Sequence, residues 1–172
     1  WSSDVCSSDL PAPGQSPVQL RAPAIGDWLK AASGESKVAA VALKDRAATL
    51  MGGRDADGAY WYLPEVGRFV TSTYYRSESP SWLTAFNASG RIEAYYLQGW
   101  QELSDAETYF VAREDSFPAE ADGVHVTFPH GFSGDSTGPD PEAYYGELRL
   151  SPFADELVFE VARLLVQHEA LG

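Results

Sequence analysis

The sequence predicts an α/β fold in which a short strand and a hairpin are combined with helices. Residues 38–43 form a short apolar run after the turn-forming residues 33–36, and this pattern indicates a fully buried strand. Residues 60–63 and 68–73 are rich in aromatic and β-branched side chains, which predicts a β-hairpin. Apolar residues recur at helical spacing over residues 155–171, so an amphipathic helix is expected there.

Turn and capping residues place the other elements in order along the chain. Residues 25–32 predict a short helix that ends at Ser33 and Gly34. Pro80 precedes a helix at residues 82–86, and the Asn-Ala-Ser-Gly sequence that follows closes it. The remaining expectations are a flexible loop at residues 51–58, a hairpin turn at 64–67 with the hairpin on the flank of the sheet, a short helix at 91–97, a strand at 124–128 and a polar loop at 133–142.

Two cations follow the predicted buried strand. On an extended chain Lys44 and Arg46 are two positions apart, so their side chains leave on the same face. Open α/β sheets bind ligands at the carboxyl ends of their strands, and a guanidinium and an ammonium together suit the oxygens of a phosphate. Such a pair favours a dianionic monoester over a monoanionic diester. The alternative is a solvated strand end in which Asp45 makes a weak local ion pair.

Several stretches along the chain resemble one enzyme family. They are residues 23–30, 44–48, 56–62, 69–75, 80–83, 128–130 and 151–153. Their order and approximate spacing resemble those of the PafA-like alkaline phosphatases, members of the alkaline phosphatase superfamily that are related to type I phosphodiesterases and nucleotide pyrophosphatases. The resemblance covers nearly everything after residue 20. It implies part of the alkaline-phosphatase-type sheet flanked by helices, with the hairpin as an insertion and the domain incomplete.

The resemblance also implies a chemical role for the two cations. In that family a Lys-x-Arg element contacts the phosphoryl oxygens, which assigns catalytic and substrate-binding roles to Lys44 and Arg46. Such enzymes also use a Thr nucleophile, an Asn contact and two zinc ions held by Asp and His residues. The chain contains none of those motifs, so we expect the intact protein to be a metal-dependent phosphatase and the chain alone to be inactive.

The ends of the chain divide it into three parts. Residues 1–10 look like translated sequencing-adapter sequence and are set aside, which removes Cys6, the single cysteine. Without it no disulfide is expected, and cysteine content leaves the redox compartment open. Residues 11–23 are rich in Pro, Gln and Ala and predict a linker-like segment. Residues 24–172 are expected to be an internal fragment of a catalytic domain.

Composition limits the partners. The formal net charge is −13, or −11 without Asp4 and Asp9, which argues against nucleic acid and anionic membranes as partners. No apolar run approaches the ~20 residues of a membrane span. A small-molecule phosphate ester is the expected partner, and the oligomeric state is left open. The family resemblance implies a periplasmic or secreted protein.

Two other functions compete with the phosphate monoesterase. One is a phosphodiesterase or nucleotide pyrophosphatase of the same superfamily. The other is a non-catalytic carbohydrate-binding module, because aromatic side chains on a β surface stack on sugars; the candidates are Tyr60, Trp61, Tyr62, Tyr74, Tyr75 and Trp82.

Metal binding within the chain has little support from residue spacing. His125, His130 and His168 lack the spacing of a metal motif and are expected to be structural. His130 is the one histidine that lies in a stretch shared with the family, where a packing role is favoured. The acidic residues between positions 135 and 142 lack the EF-hand pattern, so a solvated loop is expected there.

Overall fold

A three-stranded sheet lies at the centre of the computed structural model, which describes residues 14–119, 125–135 and 137–171. Its strands are β1 (Ala39–Ala42), β2 (Gly58–Leu63) and β3 (Arg68–Thr71). β1 pairs in parallel with β2, and β2 pairs in antiparallel fashion with β3. The predicted adapter-derived segment and the first three residues of the linker-like segment lie outside the described residues.

Helices occupy most of the rest of the described chain. The α-helices are α1 (Ile25–Ala32), α2 (Asp45–Gly52), α3 (Ser81–Asn87), α4 (Pro141–Leu148) and α5 (Phe153–Glu169). Short 3-10 turns lie at Pro17–Gln19, Glu93–Tyr95 and Ala106–Tyr109, and a small hairpin pairs β4 (Gly134–Asp135) with β5 (Gly138–Pro139). The predicted helices at residues 25–32, 82–86 and 155–171 are confirmed.

The sheet is covered on both faces. Successive side chains of a strand point to opposite faces, so all six residues of β2 are buried. Tyr60 and Tyr62 belong to the larger core, which α3, α4 and α5 complete. Trp61 and Leu63 belong to a smaller core on the other face, where Ala48 of α2 packs against them. The result is the helix–sheet–helix layering expected of an α/β fold.

Two predictions about the sheet need correction. The strand at residues 38–43 forms over Ala39–Ala42, but it is not fully buried, because within the described residues β1 pairs with β2 alone and only Ala40 is buried. The hairpin with its turn at residues 64–67 is confirmed. It does not lie on the flank, however, since its first strand is the central strand of the sheet.

Other segments differ from expectation. The strand predicted at residues 124–128 is wrong for residues 125–128, which have irregular backbone, while residue 124 lies outside the described part. The predicted loop at residues 51–58 begins later, because Met51 and Gly52 end α2. The helix expected at residues 91–97 is a single 3-10 turn, and the loop at 133–142 contains the β4–β5 hairpin and the start of α4.

The end of α5 is tied to α3 by Glu169. One carboxylate oxygen accepts the indole N–H of Trp82 at 2.8 Å, and the other accepts the guanidinium of Arg76 at 2.6 Å. Burial alone would raise the pKa of Glu169, but these hydrogen bonds outweigh it and hold the pKa below its ordinary value. This carboxylate therefore joins elements that are distant in sequence.

Candidate functional site

Lys44 and Arg46 lie where β1 passes into α2. Lys44 is the N-cap of α2 and is extended, with φ −119° and ψ 138°, and the helix begins at Asp45. Arg46 therefore lies in the first helical turn. The prediction that both side chains leave one face of an extended chain is wrong, because the backbone turns into a helix directly after Lys44.

The sequence around Asp45 explains this early helix. The Asp45 carboxylate accepts the backbone N–H of Arg46 at 2.6 Å, and an acidic side chain in the first turn is favoured by the helix dipole. Ala47 and Ala48 follow, and Ala is the residue type that most favours helix. Ala48 is fully buried against the sheet, which holds α2 and the position of Arg46 in place.

The start of β1 is also held by a partly buried contact. Asp57 accepts the backbone N–H of Val38 at 2.7 Å and the ammonium of Lys30 of α1 at 2.7 Å. Burial opposes ionisation of Asp57, yet these two donors lower the pKa of Asp57 below its ordinary value. β1 is thus fixed at its amino end by α1 and at its carboxyl end by α2, and both anchors define where Lys44 lies.

A cleft brings the two cations together despite the different backbone. It has a volume of about 280 Å³ and is formed by the β1–α2 junction, β2, the hairpin turn and the end of α4. Its lining includes Lys44, Arg46, Tyr62, Glu65, Val70 and Arg149. A shared cleft, and not a shared strand face, therefore brings Lys44 and Arg46 together.

Both cationic side chains are available to a ligand. Lys44 and Arg46 are exposed, and neither side chain makes an ion pair or hydrogen bond within the described part of the chain. The Asp45 carboxylate accepts the backbone N–H of Arg46 and makes no ion pair with either cationic side chain. The weak local ion pair that was the alternative interpretation is therefore not formed.

Tyr62 lines the cleft as an uncharged side chain. It is 3% exposed, and its hydroxyl donates to the carbonyl oxygen of Tyr145 at 3.4 Å. Burial raises the pKa of the Tyr62 hydroxyl well above its ordinary value, so this group stays neutral. The charged side chains that line the cleft are those of Lys44, Arg46 and Arg149 and of Asp45 and Glu65.

Arg149 was not singled out by the sequence and lines the same cleft. It follows α4 directly and is the C-cap of that helix. No local motif surrounds it, and its sequence distance from Lys44 gives no reason to connect the two. Only the packing of α4 beside the hairpin turn brings it to the cleft.

The aromatic residues considered for sugar stacking are mostly unavailable. Tyr60, Trp61, Tyr62 and Trp82 are between 0% and 8% exposed, because they fill the two cores beside the sheet. Tyr74 is 40% exposed and stands against the ring of its neighbour. The flat aromatic surface that a carbohydrate-binding module needs is not formed by this set.

The three histidines lie away from the cleft. His130 is 8% exposed, its ring stacks on Phe128 at 4.6 Å, and its backbone bridges to Trp100. His168 stacks on Trp82 with ring centroids 6.3 Å apart. Within the described residues, no group of three or more His, Cys, Asp or Glu side chains is placed to hold a metal ion.

A larger cavity lies elsewhere in the molecule. It has a volume of about 1140 Å³ and is lined by residues 98–103, parts of residues 109–115, Phe128 and the start of α5. Neither Lys44 nor Arg46 lines it.

In the described part of the chain, no helix has the length and apolar character to cross a membrane.

The chain is similar to three curated proteins over most of its length. It is 34% identical over 161 residues to the alkaline phosphatase PhoV of Synechococcus elongatus, and this match covers 91% of this chain and 28% of that protein. It is 32% identical over 163 residues to the alkaline phosphatase PafA of Elizabethkingia meningoseptica, covering 91% and 29%. It is 33% identical over 165 residues to a protein of Myroides odoratus named a calcium-transporting ATPase, covering 92% and 29%. No protein-family model matches the chain.

Solved structures give the same relationship. Wild-type alkaline phosphatase PafA superposes with a TM-score of 0.71 at 29% identity, over 86% of this chain and 28% of that one. A PafA variant superposes with a TM-score of 0.75 at 31% identity over the same shares. In that variant one Thr, one Asn, one Lys and one Arg are substituted, and the Lys and the Arg are two positions apart.

The length of the match differs greatly between the two partners. The chain spans less than a third of the curated relatives and of the solved structures that it matches. Within that span, sequence and fold agree over about nine tenths of the chain. The chain is thus similar in sequence and in fold to one segment of the alkaline phosphatases PafA and PhoV.

Proposed function

We propose that the intact protein is a phosphate monoester hydrolase in which Lys44 and Arg46 bind the phosphoryl oxygens. One observation carries the proposal: two exposed cations without partners in the described part of the chain line one cleft of a protein with a net charge of −13. Lys44 and Arg46 are two positions apart, as are the Lys and the Arg that are substituted together in a PafA variant.

The charge of the site supports a monoester as the substrate. Two unit charges at 4 Å attract by about 4 kcal/mol at an effective dielectric constant of about 20. A monoester dianion carries one more negative charge than a diester, so it gains more from Lys44 and Arg46. The equatorial oxygens of a transferring phosphoryl group carry the charge that such cations stabilise. The two side chains therefore act both in binding and in the transition state.

The proposal includes two zinc ions, which the family resemblance implies. The described residues do not fit a zinc site, because they contain no suitable set of His, Cys, Asp and Glu side chains. The ligands and the Thr nucleophile are then expected in polypeptide beyond this chain. The 172-residue chain is accordingly expected to be inactive by itself, with a role confined to contacting the substrate.

The substrate and location of the intact protein follow the same proposal. A small-molecule phosphate monoester is the proposed substrate, and the periplasm or the cell exterior is the proposed location. A phosphodiesterase or nucleotide pyrophosphatase of the same superfamily is the second candidate. It is favoured only if the two cations contribute equally to monoester and diester hydrolysis.

Kinetics of the intact enzyme test the proposal. Lys44→Ala and Arg46→Ala are each expected to lower kcat/KM for a monoester more than tenfold, or about 1.4 kcal/mol. The same variants are expected to lower kcat/KM for a diester with the same leaving group by a smaller factor. The measurement is the ratio of the two kcat/KM values in the wild-type protein and in each variant.

A matched control removes a cation elsewhere. Arg163 is exposed on α5 and its side chain donates to Gln167 at 3.0 Å, so Arg163→Gln is expected to leave the monoester-to-diester ratio unchanged. Equal losses on both esters in the Lys44 and Arg46 variants would contradict the charge argument. Unchanged rates on both esters would contradict the proposed role of the cleft.

A further inference from the structure

The side chain of Arg149 is not needed to cap the helix that precedes it. The backbone N–H of Arg149 bonds to the carbonyls of Tyr145 and Glu147, and the next two amides bond to Glu147 and Leu148. The carbonyl groups at the end of α4 therefore have backbone partners. No ion pair or side-chain hydrogen bond of Arg149 is found in the described part of the chain.

Arg149 lines the cleft from the end of α4, whereas Lys44 and Arg46 line it from the β1–α2 junction. Its charge acts on the hydroxyl of Tyr62, which also lines the cleft. Lys44, Arg46 and Arg149 thus bring three cations to one concave surface. The acidic side chains of that surface are Asp45, which is bound to the Arg46 amide, and Glu65.

A single phosphoryl group does not account for all three cations. In the proposed function the phosphoryl oxygens are bound by Lys44 and Arg46, which leaves Arg149, carried by a different element, without a role. The volume of about 280 Å³ lies at the low end of the range for small-molecule pockets, roughly 300 Å³ upward. The cleft therefore suits a small substrate with anionic groups at two positions.

We propose that Arg149 forms a second anion subsite, which selects phosphate monoesters that carry another phosphate or carboxylate group. The inference rests on the proposed function, because it names the substrate class of the same cleft. A guanidinium binds a carboxylate or a phosphate through two parallel N–H···O hydrogen bonds. Arg149 is then a specificity-determining residue, and Lys44 and Arg46 remain the contacts of the phosphoryl group that is transferred.

The test compares two substrates with the intact enzyme. Propyl phosphate and propane-1,3-diyl bisphosphate have primary alcohol leaving groups of the same chain length and differ in the second phosphate. Arg149→Ala is expected to lower the ratio of kcat/KM for the bisphosphate to kcat/KM for propyl phosphate about tenfold. Arg149→Lys keeps the charge without the fork of donors, so it is expected to restore part of that ratio.

Controls separate this inference from the proposed function. Lys44→Ala lowers kcat/KM on both substrates if the proposed function holds, whatever Arg149 does. Arg163→Gln removes a surface cation and is expected to leave the ratio unchanged. The subsite is refuted if Arg149→Ala changes kcat/KM for both substrates by the same factor or for neither. The proposed function still stands in that case if Lys44→Ala lowers kcat/KM for both substrates. Circular dichroism of each variant checks that the fold is retained.

Discussion

The isolated chain of residues 11–172 is expected to self-associate through an apolar face of α1 and α2. On α1, the side chains of Ile25, Trp28 and Leu29 are 83%, 66% and 50% exposed. On α2, the side chains of Leu50 and Met51 are 56% and 63% exposed. α1 and α2 pack against each other, so these side chains lie on adjacent elements. The apolar α1/α2 face comprises Ile25, Trp28, Leu29, Leu50 and Met51.

Replacing two residues of this face gives a measurable change. Burying one large apolar side chain contributes about 1.5–3 kcal/mol. Trp28 and Leu50 are both more than half exposed, so association gains about 1–1.5 kcal/mol from each. Both copies of a dimer contribute this face, so the charged double variant Trp28→Lys/Leu50→Lys is expected to weaken association by about 4–6 kcal/mol, which is roughly 10³- to 10⁴-fold in the dissociation constant.

Sedimentation velocity over a range of protein concentrations measures this effect. The matched control is Phe159→Lys, since Phe159 is 75% exposed on α5, which packs on the opposite face of the sheet. A monomeric wild-type chain with a sharp, cooperative melt would refute the reasoning. So would an equal loss of association in the Phe159→Lys variant, because it would show that the contact is not made through the apolar α1/α2 face.

Two further predictions concern stability and are measured by urea unfolding in the charged double variant. Gly67 has a φ of 61° and a Cβ there would overlap the ring of Tyr145, whereas Gly90 has a φ of 72° and open space around it. Gly90→Ala is therefore expected to lower the free energy of unfolding by about 1 kcal/mol, and Gly67→Ala by at least about twice that. Equal losses would contradict the role of Tyr145 packing at Gly67. The pKa of Glu169 is lowered in the folded state, so its contribution is full above pH 4.5, the ordinary value, and is lost as the pH falls through the folded pKa. Glu169→Gln is expected to flatten the acid side of the stability profile, and an unchanged profile would contradict it.

Elements with strong local signals were predictable from the sequence. The helix Ile25–Ala32 ends where Ser33 and Gly34 interrupt it, and the hairpin turn forms at a Pro-Glu-Val-Gly sequence. α5 was predictable because its buried residues Leu157, Val161 and Leu165 recur every four positions. In each case the residues that determine the element lie within it or directly beside it in the sequence.

Predictions failed where the deciding contacts come from distant parts of the chain. α2 was missed because an extended chain was expected to continue from the strand through Lys44 and Arg46, although Asp45 is a favourable first-turn residue. Residues 125–128 alternate in polarity but pair with no strand among the described residues; the amide of Phe128 bonds to the Asp115 side chain instead. Alternation predicts a strand only when a partner strand is present.

The geometry of the candidate site was not predictable from the sequence. The sequence singled out Lys44 and Arg46 from their types and spacing, while the structure places them at a strand–helix junction and in a shared cleft. Arg149 reaches that cleft through the packing of α4, which no local pattern indicates. Four of the six aromatic residues proposed as a sugar-binding surface are core residues, and three of these four lie on β2, which is covered on both faces.

Sequencing the native gene on both sides of codons 11–172, from adapter-free template, tests the central claim most directly. The claim is that this chain is part of a longer phosphatase to which it contributes the Lys44 and Arg46 contacts. The account predicts an open reading frame that continues in both directions, with a Thr nucleophile upstream and Asp and His metal-ligand motifs downstream. A start codon near residue 11 together with a stop codon after residue 172 would contradict it.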